Sequence, residues 1–176
     1  MSFFQRILIF LIPTGIQRSK YLKNRDIFAK VGKNFYFCPR KIPVDPKLIK
    51  FGDNVSVATE VQFVNHDVIH KVFNNFFEKN IEKFYGCIEI KNNVFIGSRT
   101  IIMPNVTIGP NVIIGSGTII TKSIEESGVY VGNPIKKIGE FNELYKKRLE
   151  YTKKIMKLNK NELNNYLWKE FYEKQR

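Results

Sequence analysis

Isoleucine recurs every six residues through the middle of this chain. The series has no gap and consists of Ile90, Ile96, Ile102, Ile108, Ile114 and Ile120. Four residues after each of the first five comes Val or Thr. An amphipathic helix would repeat its apolar residues about every 3.6 positions and a half-buried strand every two, so a strict period of six fits neither. Such a repeat must be interpreted first, because a fixed period determines the whole fold.

We interpret each six-residue unit as a short strand with a corner, so that three units close one coil of eighteen residues. The isoleucines would point inward and stack on their equivalents one coil later, as Ile90 on Ile108. β-branched residues suit extended segments. The glycines at positions 97, 109 and 115, which follow isoleucines, would serve sharp turns that strain other residues. Each coil would bond only to its neighbours, which predicts a mainly β solenoid.

The repeat extends upstream and has an early interruption. Further units begin at Phe51, Val57 and Phe63, and residues 31–35 look like an earlier unit. A proline-containing interruption lies between them, at residues 39–46. The solenoid therefore begins well before the isoleucine series.

A longer interruption separates Phe63 from Ile90, which are 27 residues apart where the repeat requires six. It predicts an inserted loop at about residues 66–86, and a loop that projects from a rigid scaffold is where function is expected. The predicted organisation is an N-terminal helical cap at residues 1–30, the repeat domain at 31–140 and a basic C-terminal helical segment at 141–176.

The apolar stretch near the N-terminus, from Phe3 to Ile16, resembles a signal peptide only superficially. Arg6 interrupts it, Pro13 and Gly15 break it, and no small-residue cleavage site follows. It is also too short to span a bilayer. We expect a short amphipathic helix that either caps the domain or lies on a membrane surface.

The formal net charge of +13 predicts attraction to anions, whether nucleic acid, anionic lipid or a phosphorylated small molecule. Part of the excess lies between Arg18 and Arg25. No nucleic-acid-binding module is recognisable, so no nucleic acid is expected as a partner. Cys38 and Cys87 form neither a disulfide framework nor a CxxC metal motif, which favours a reducing compartment.

Four features together resemble the hexapeptide acyltransferases, in particular the galactoside, maltose and xenobiotic acetyltransferases and their polysaccharide O-acetyltransferase relatives. They are the repeat, Asn65-His66-Asp67, the segment from Val94 to Ser98, and the ending Val131-Gly132-Asn133-Pro134. The resemblance covers about residues 49–140. It implies a left-handed parallel β-helix, acetyl-CoA as the acyl donor, and a homotrimer with active sites between subunits.

The resemblance also implies that His66 is the general base. An alcohol attacks a thioester only if a base removes its proton, and neutral imidazole, with an ordinary pKa of about 6.5, suits this task. The alternative is a loop histidine that caps a turn. Asn65, Asp67 and Tyr85 are the candidates for the acceptor side, whereas the role of His70 stays open.

The same resemblance implies the donor site. The backbone amide of Ser98, after Gly97, would meet the thioester end, and that of Ser116 would lie along the pantetheine arm. Lys122 and Lys136 would approach the phosphates or adenine, with Asn133 shaping the groove; either lysine could instead be simply solvated. A zinc-dependent hydratase of similar repeat needs three histidine ligands, and this chain has two histidines, so no metal is expected.

The predicted function is O-acetylation of a sugar hydroxyl, on a surface polysaccharide unit or its precursor. The alternatives are N-acetylation of an amino sugar, acetylation of serine or a xenobiotic, and a non-enzymatic scaffold. The expected location is the cytoplasm. The apolar N-terminus and its basic flank add the expectation of a peripheral contact with the inner face of the membrane.

Overall fold

Short strands make up the repeat region of this computed structural model, which describes residues 2–175. They are β1 (Lys30–Val31), β2 (Tyr36–Phe37), β3 (Ile49–Phe51), β4 (Val55–Val57), β5 (Gln62–Phe63), β6 (Ile88–Ile90), β7 (Val94–Ile96), β8 (Ile101–Ile102), β9 (Val106–Ile108), β10 (Val112–Ile114), β11 (Ile119–Ile120), β12 (Gly128–Val131) and β13 (Lys136–Gly139). The helices are α1 (Phe3–Leu11), α2 (Gly15–Asn24), a 3₁₀ turn (Pro46–Leu48), α3 (Ile69–Phe77), α4 (Phe141–Ile155) and α5 (Lys160–Glu173).

The strands form three sheets, and the chain visits the sheets in turn. Sheet 1 contains β1, β3, β6 and β9; sheet 2 contains β2, β4, β7, β10, β12 and β13; sheet 3 contains β5, β8 and β11. The pairing is parallel except between β12 and β13. Ile90 pairs with Ile108, an offset of 18 residues. This register confirms the step inferred from the isoleucine series.

The interruptions appear as longer offsets between neighbouring strands. Ile49 pairs with Ile88, an offset of 39 residues that exceeds the regular 18 by 21. The excess equals the predicted inserted segment, which leaves the coil and returns to it. Lys30 pairs with Lys50, an offset of 20, so the proline-containing segment adds only two residues to its coil.

The core is the interior of the three sheets. Every isoleucine of the six-residue series is buried there. Toward the N-terminal end, phenylalanine replaces isoleucine as the main core residue. The rings of Phe28 and Phe51 pack edge to face there, with 4.9 Å between their centroids. Aromatic rings fill the wider space where the first coils meet α2, which closes this end of the core.

The glycines that follow isoleucines at the turns are needed for close approach rather than for a left-handed backbone. The left-handed backbone positions are occupied largely by asparagine, with φ of 56° at Asn54, 58° at Asn93 and 58° at Asn111, a conformation that asparagine tolerates. Their side chains also bond to one another across the coils, at 3.0 Å from Asn54 to Asn93 and 2.8 Å from Asn93 to Asn111. Gly97 serves close approach instead, because a Cβ there would lie 2.5 Å from the backbone nitrogen of Ser116.

Arg18 fastens the two N-terminal helices to the first coil. Its side chain is buried, at 2% exposure, and burial lowers the pKa of its guanidinium, with Arg40 adding to the effect. The group donates to backbone carbonyl oxygens of Ile9, Ile12, Phe37 and Cys38. A residue counted from sequence among the anion-attracting cations is therefore internal.

The fold divides into two compact units, one ending at Phe141 and the other beginning at Asn142. The second unit consists of α4 and α5, separated by a short turn rather than joined in one helix. Asn159 caps α5, accepting from the amide of Glu162, whose side chain accepts in return from the amide of Asn159. Within residues 2–175, no helix has the length and apolar character that crossing a bilayer requires.

Candidate active site

Two edges of the stacked coils carry the predicted site residues. We call corner 2–3 the column of turns where the chain passes from sheet 2 to sheet 3, and corner 3–1 the column where it passes from sheet 3 to sheet 1. His66 follows β5 and lies at corner 3–1, whereas Ser98 and Ser116 follow β7 and β10 and lie at corner 2–3. Within one chain, the predicted base and the predicted donor site are therefore on different edges.

His66 is held by a carboxylate. Its Nδ1 lies 2.8 Å from Oδ2 of Asp45, and the His66 side chain is 19% exposed. Both atoms are buried, and among the described residues neither makes a hydrogen bond of regular geometry, so the ion-pair contact between them is the polar interaction that the structure gives each atom. A carboxylate at Nδ1 favours the tautomer protonated there, which leaves Nε2 as the proton acceptor. The arrangement suits a neutral imidazole that acts as a base.

Asn65 links the segments that carry these two groups. Its side-chain amide donates to the carbonyl oxygen of Asp45 at 2.6 Å, and its own carbonyl oxygen accepts from the amide of Gly86 at 2.9 Å. The residue is only 2% exposed. Asn65 therefore fixes the spacing between Asp45 and His66 and presents little surface to an acceptor.

The inserted segment begins and ends at the same point. His66 and Tyr85 form an antiparallel bridge, and their ring centroids are 6.2 Å apart. Asp67 accepts from the amide of Ile69 at 3.0 Å and so starts α3. Nζ of Lys83 lies 4.9 Å from the centre of the exposed Tyr85 ring. Tyr85 is thus the predicted acceptor-side residue that is exposed next to His66.

Asp45 was missed by the interpretation of the sequence. It lies in the proline-containing segment, immediately before Pro46 and the 3₁₀ turn that leads into β3. Because this segment lacks the six-residue repeat, the repeat could not predict where its residues lie in the coil. The sequence did offer a signal for Asp45. It is an acidic residue close to two prolines, and it precedes the candidate base by about the length of one coil.

A cleft of about 540 Å³ opens beside Asp45. Its lining includes Asp45 and Tyr85, together with Gln5 of α1 and Arg25, which follows α2. The cleft therefore extends from Asp45, the residue in contact with His66, to the N-terminal helices. Its mixed polar and apolar lining suits a hydroxyl-bearing acceptor.

A second depression, of about 550 Å³, runs along corner 2–3. Its lining includes Ser98, Arg99, Ser116 and Gly117, and the amide of Gly117 donates to the carbonyl oxygen of Ser98 at 2.8 Å. Glu60 accepts from Nε of Arg99 at 2.7 Å and raises the pKa of that guanidinium. The structure thus brings the predicted Ser98 and Ser116 into one column, with Gly97 beside them.

The turn that carries Asn133 continues this column. The amide of Gly132 donates to Oγ1 of Thr118 at 3.1 Å, one coil above Ser116, and the Asn133–Pro134 peptide bond is cis. Four of the predicted donor-site residues therefore share one edge of the coil. They are Gly97, Ser98, Ser116 and Asn133.

The two predicted lysines lie apart. Lys122 follows β11 and so belongs to corner 3–1, the column of His66. Lys136 is exposed at the start of β13 and makes no ion pair among the described residues. Its neighbour Lys137 is held by Glu126 at 2.5 Å and Glu140 at 2.7 Å, which raises the pKa of Lys137. Lys136 is thus the free cation of this pair.

His70 lies on α3, and its Nδ1 is buried without a hydrogen-bond partner among residues 2–175. In that part of the chain, no group of three or more His, Cys, Asp or Glu side chains is arranged to hold a metal ion. At corner 3–1 the structure places Nδ1 of His66 2.8 Å from Oδ2 of Asp45.

Known proteins share this pattern. The family model described as bacterial transferase hexapeptide (six repeats) matches residues 88–122. Protein CapG of Staphylococcus aureus is 42% identical over 129 residues, which cover 73% of this chain and 74% of that protein. Galactoside O-acetyltransferase of Escherichia coli K12 is 40% identical over 115 residues, 64% of this chain and 54% of that protein.

A solved structure agrees with these relatives. A galactoside acetyltransferase in complex with coenzyme A superposes with a TM-score of 0.56 at 27% identity. The match covers 81% of this chain and 82% of that one. The likeness therefore includes the repeat region and extends beyond it.

Proposed function

The chain belongs to the hexapeptide-repeat acyltransferase family, and from this premise we propose that it transfers an acetyl group from acetyl-CoA to a hydroxyl of a saccharide. The acceptor we propose is a unit of a surface polysaccharide or its precursor, and the compartment is the cytoplasm. The observation that carries the proposal is the buried contact of His66 with Asp45 beside an open cleft. The E. coli relative named as a galactoside O-acetyltransferase supports the acceptor class.

In this proposal His66 acts as the base and Asp45 as a positioning residue. Asp45 holds Nδ1, so that Nε2 takes the proton of the acceptor hydroxyl as its oxygen forms the new ester bond. The imidazolium that results is stabilised by the adjacent carboxylate. It then returns the proton to the departing sulfur, so His66 ends in its starting state.

Acetyl-CoA supplies the thioester whose carbonyl is attacked. The residues along corner 2–3 fit such a group, because Gly97 allows two coils to approach closely and the turns at Ser98 and Ser116 line one continuous depression. A backbone amide at Ser98 suits an oxygen that becomes negative during attack. Lys136 is available for a phosphate, and Asn133 continues the depression. The neighbour with bound coenzyme A supports this assignment.

We further propose a homotrimer with sites between subunits, in which residues 31–140 form a left-handed parallel β-helix. His66 and Ser98 lie at different corners of one chain. The proposed base and the proposed donor column of the same chain are therefore apart from each other. In a ring of three subunits, corner 3–1 of each subunit would face corner 2–3 of the next. Such a ring would bring His66 and the donor column together at three subunit boundaries. Lys122, in the His66 column, would then meet the donor held mainly by the neighbour.

Release of free thiol from acetyl-CoA, measured against a panel of sugars, amino sugars, nucleotide sugars and serine, tests the proposal. The wild type should turn over with a saccharide hydroxyl. His66→Ala should lower kcat by about 10²–10⁴-fold, the range of a general base. His70→Ala is the matched control. Thiol release that survives His66→Ala unchanged would refute the role of His66, and turnover with the amino sugar alone would show N-acetylation.

Asp45→Asn tests the positioning role. We expect kcat to fall by about 10–100-fold, the usual effect of losing a partner that orients a functional histidine. The KM for acetyl-CoA should stay unchanged, since Asp45 lies outside the donor column. Asp53→Asn is the matched control, because Asp53 is an exposed aspartate that accepts from a backbone amide at the remaining corner. An equal loss in both variants, or a change confined to KM, would contradict the assignment.

A further inference from the structure

Helix α1 exposes apolar side chains along one broad face. Only Ile9 is buried, whereas Phe4 is 81% exposed. The other exposed apolar residues of the helix are Phe3, Ile7, Leu8, Phe10 and Leu11. Large apolar side chains grouped in this way are unfavourable in water. Such a group marks a surface that contacts another protein or a membrane.

The helix is nevertheless firmly attached. Arg6 donates to carbonyl oxygens of the proline-containing segment, at 2.7 Å to Ile42 and 3.0 Å to Val44. Arg40 donates to the carbonyl oxygen of Phe10 at 2.7 Å, and Arg18 binds the carbonyls of the helix end from inside. The apolar face is therefore presented by a fixed element.

The chain segments next to α1 in the sequence carry an excess of cations. No acidic side chain occurs from Ser2 to Arg25. The exposed cations there and in the adjacent segment are Lys20, Lys23, Arg25, Arg40 and Lys41. Each lysine or arginine near an anionic bilayer contributes favourably to binding. Two of these cations lie beside the helix: Arg40 is 5.8 Å from the centre of the Phe10 ring, and Arg25 lines the same cleft as Gln5. An apolar helix face beside such cations matches anionic headgroups over acyl chains, whereas it does not match a second copy of the same positive surface.

We propose that α1 lies in the interface of a membrane that contains anionic lipids. With nine residues, α1 is about 14 Å long and cannot cross a hydrocarbon core of about 30 Å, so it would lie in the plane of the interface. Gln5 of this helix lines the same cleft as Asp45 and Tyr85. Docking therefore holds the cleft at the lipid surface, and, resting on the proposed function, the acceptor is a saccharide carried on a lipid.

Co-sedimentation of the full-length protein with vesicles tests the inference. Phosphatidylcholine vesicles that contain phosphatidylglycerol should bind the wild type, and binding should weaken with phosphatidylcholine alone and at high salt. Phe4→Glu should lower the partition coefficient about tenfold or more, since the burial of one aromatic side chain is worth about that factor. Ile138→Glu is the matched control, since Ile138 is 63% exposed on β13 and the charge change is equal.

The inference is overturned if the wild type binds neither kind of vesicle, or if Phe4→Glu and Ile138→Glu bind equally. Sedimentation velocity without lipid provides a further check. A lower oligomeric mass for Phe4→Glu would identify a second copy of the chain as the occupant of this face and refute the membrane. Binding of coenzyme A by the wild type and by Phe4→Glu, measured without vesicles, tests the proposed function separately, because Phe4 lies outside the site.

Discussion

Replacement of Gly97 by alanine should destabilise the coil by a predictable amount. A Cβ at this position would lie 2.5 Å from the nitrogen of Ser116, 2.7 Å from the carbonyl carbon of Gly115 and 2.8 Å from the carbonyl oxygen of Ile114. Ordinary contact begins at about 3.4 Å, so the backbone must move by about 0.6–0.9 Å. All three atoms belong to backbone, and the amide of Gly97 already donates to Ile114 at 2.9 Å. No side-chain rotation can relieve the overlap.

Overpacking of this kind costs about 1–3 kcal/mol, and we expect the upper end because the obstacle is main chain. For a chain of this size, 1 kcal/mol lowers Tm by about 2–4 °C, so Gly97→Ala should melt about 6–12 °C below the wild type in calorimetry. Gly139→Ala is the matched control, since nothing lies within 4 Å of a Cβ there, and its Tm should stay within about 2 °C. Equal melting temperatures for the two variants would refute the close stacking of the coils.

Two further changes test other parts of the fold. Asn93→Ala removes a residue at φ 58° whose side chain joins those of Asn54 and Asn111, so urea unfolding should show a loss of about 1–3 kcal/mol. Asn93→Gly keeps the backbone conformation and should lose less; an equal or larger loss would contradict the strain argument. Arg18→Met leaves buried carbonyl oxygens without donors and should cost about 2–4 kcal/mol, with faster proteolysis between α1 and α2. Arg25→Met, at an exposed arginine, should change neither measurement, and intact stability of Arg18→Met would show that the carbonyls need no internal donor.

The isoleucine period predicted one strand for every six residues and excluded an amphipathic helix. The interpretation that three such strands close one coil is confirmed by the pairing of Ile96 with Ile114, 18 residues apart. The length of the insertion also followed, because the repeat resumes at Ile90, 27 residues after Phe63, where a spacing of six was required. These features depend on spacing along the chain, which the sequence contains directly.

Features that depend on contacts across coils were harder to predict. The meeting of Asp45 with His66 requires the path of a segment that has no repeat. Arg18 was grouped with surface cations, since its burial depends on carbonyls contributed by α1 and β2. Lys122 was assigned with Ser98 although the period alone places the two residues at different corners. Applying the eighteen-residue step to every candidate residue would have separated them.

The bridge between His66 and Tyr85 closes the inserted segment at its base. The amide of Gly86 and the carbonyl oxygen of Asn65 add a second link, at 2.9 Å. The inserted segment is attached to the coil at both of its ends, and it contributes no strand to the three sheets. The intervening stretch can therefore vary in sequence and length while the scaffold that carries His66 folds as before.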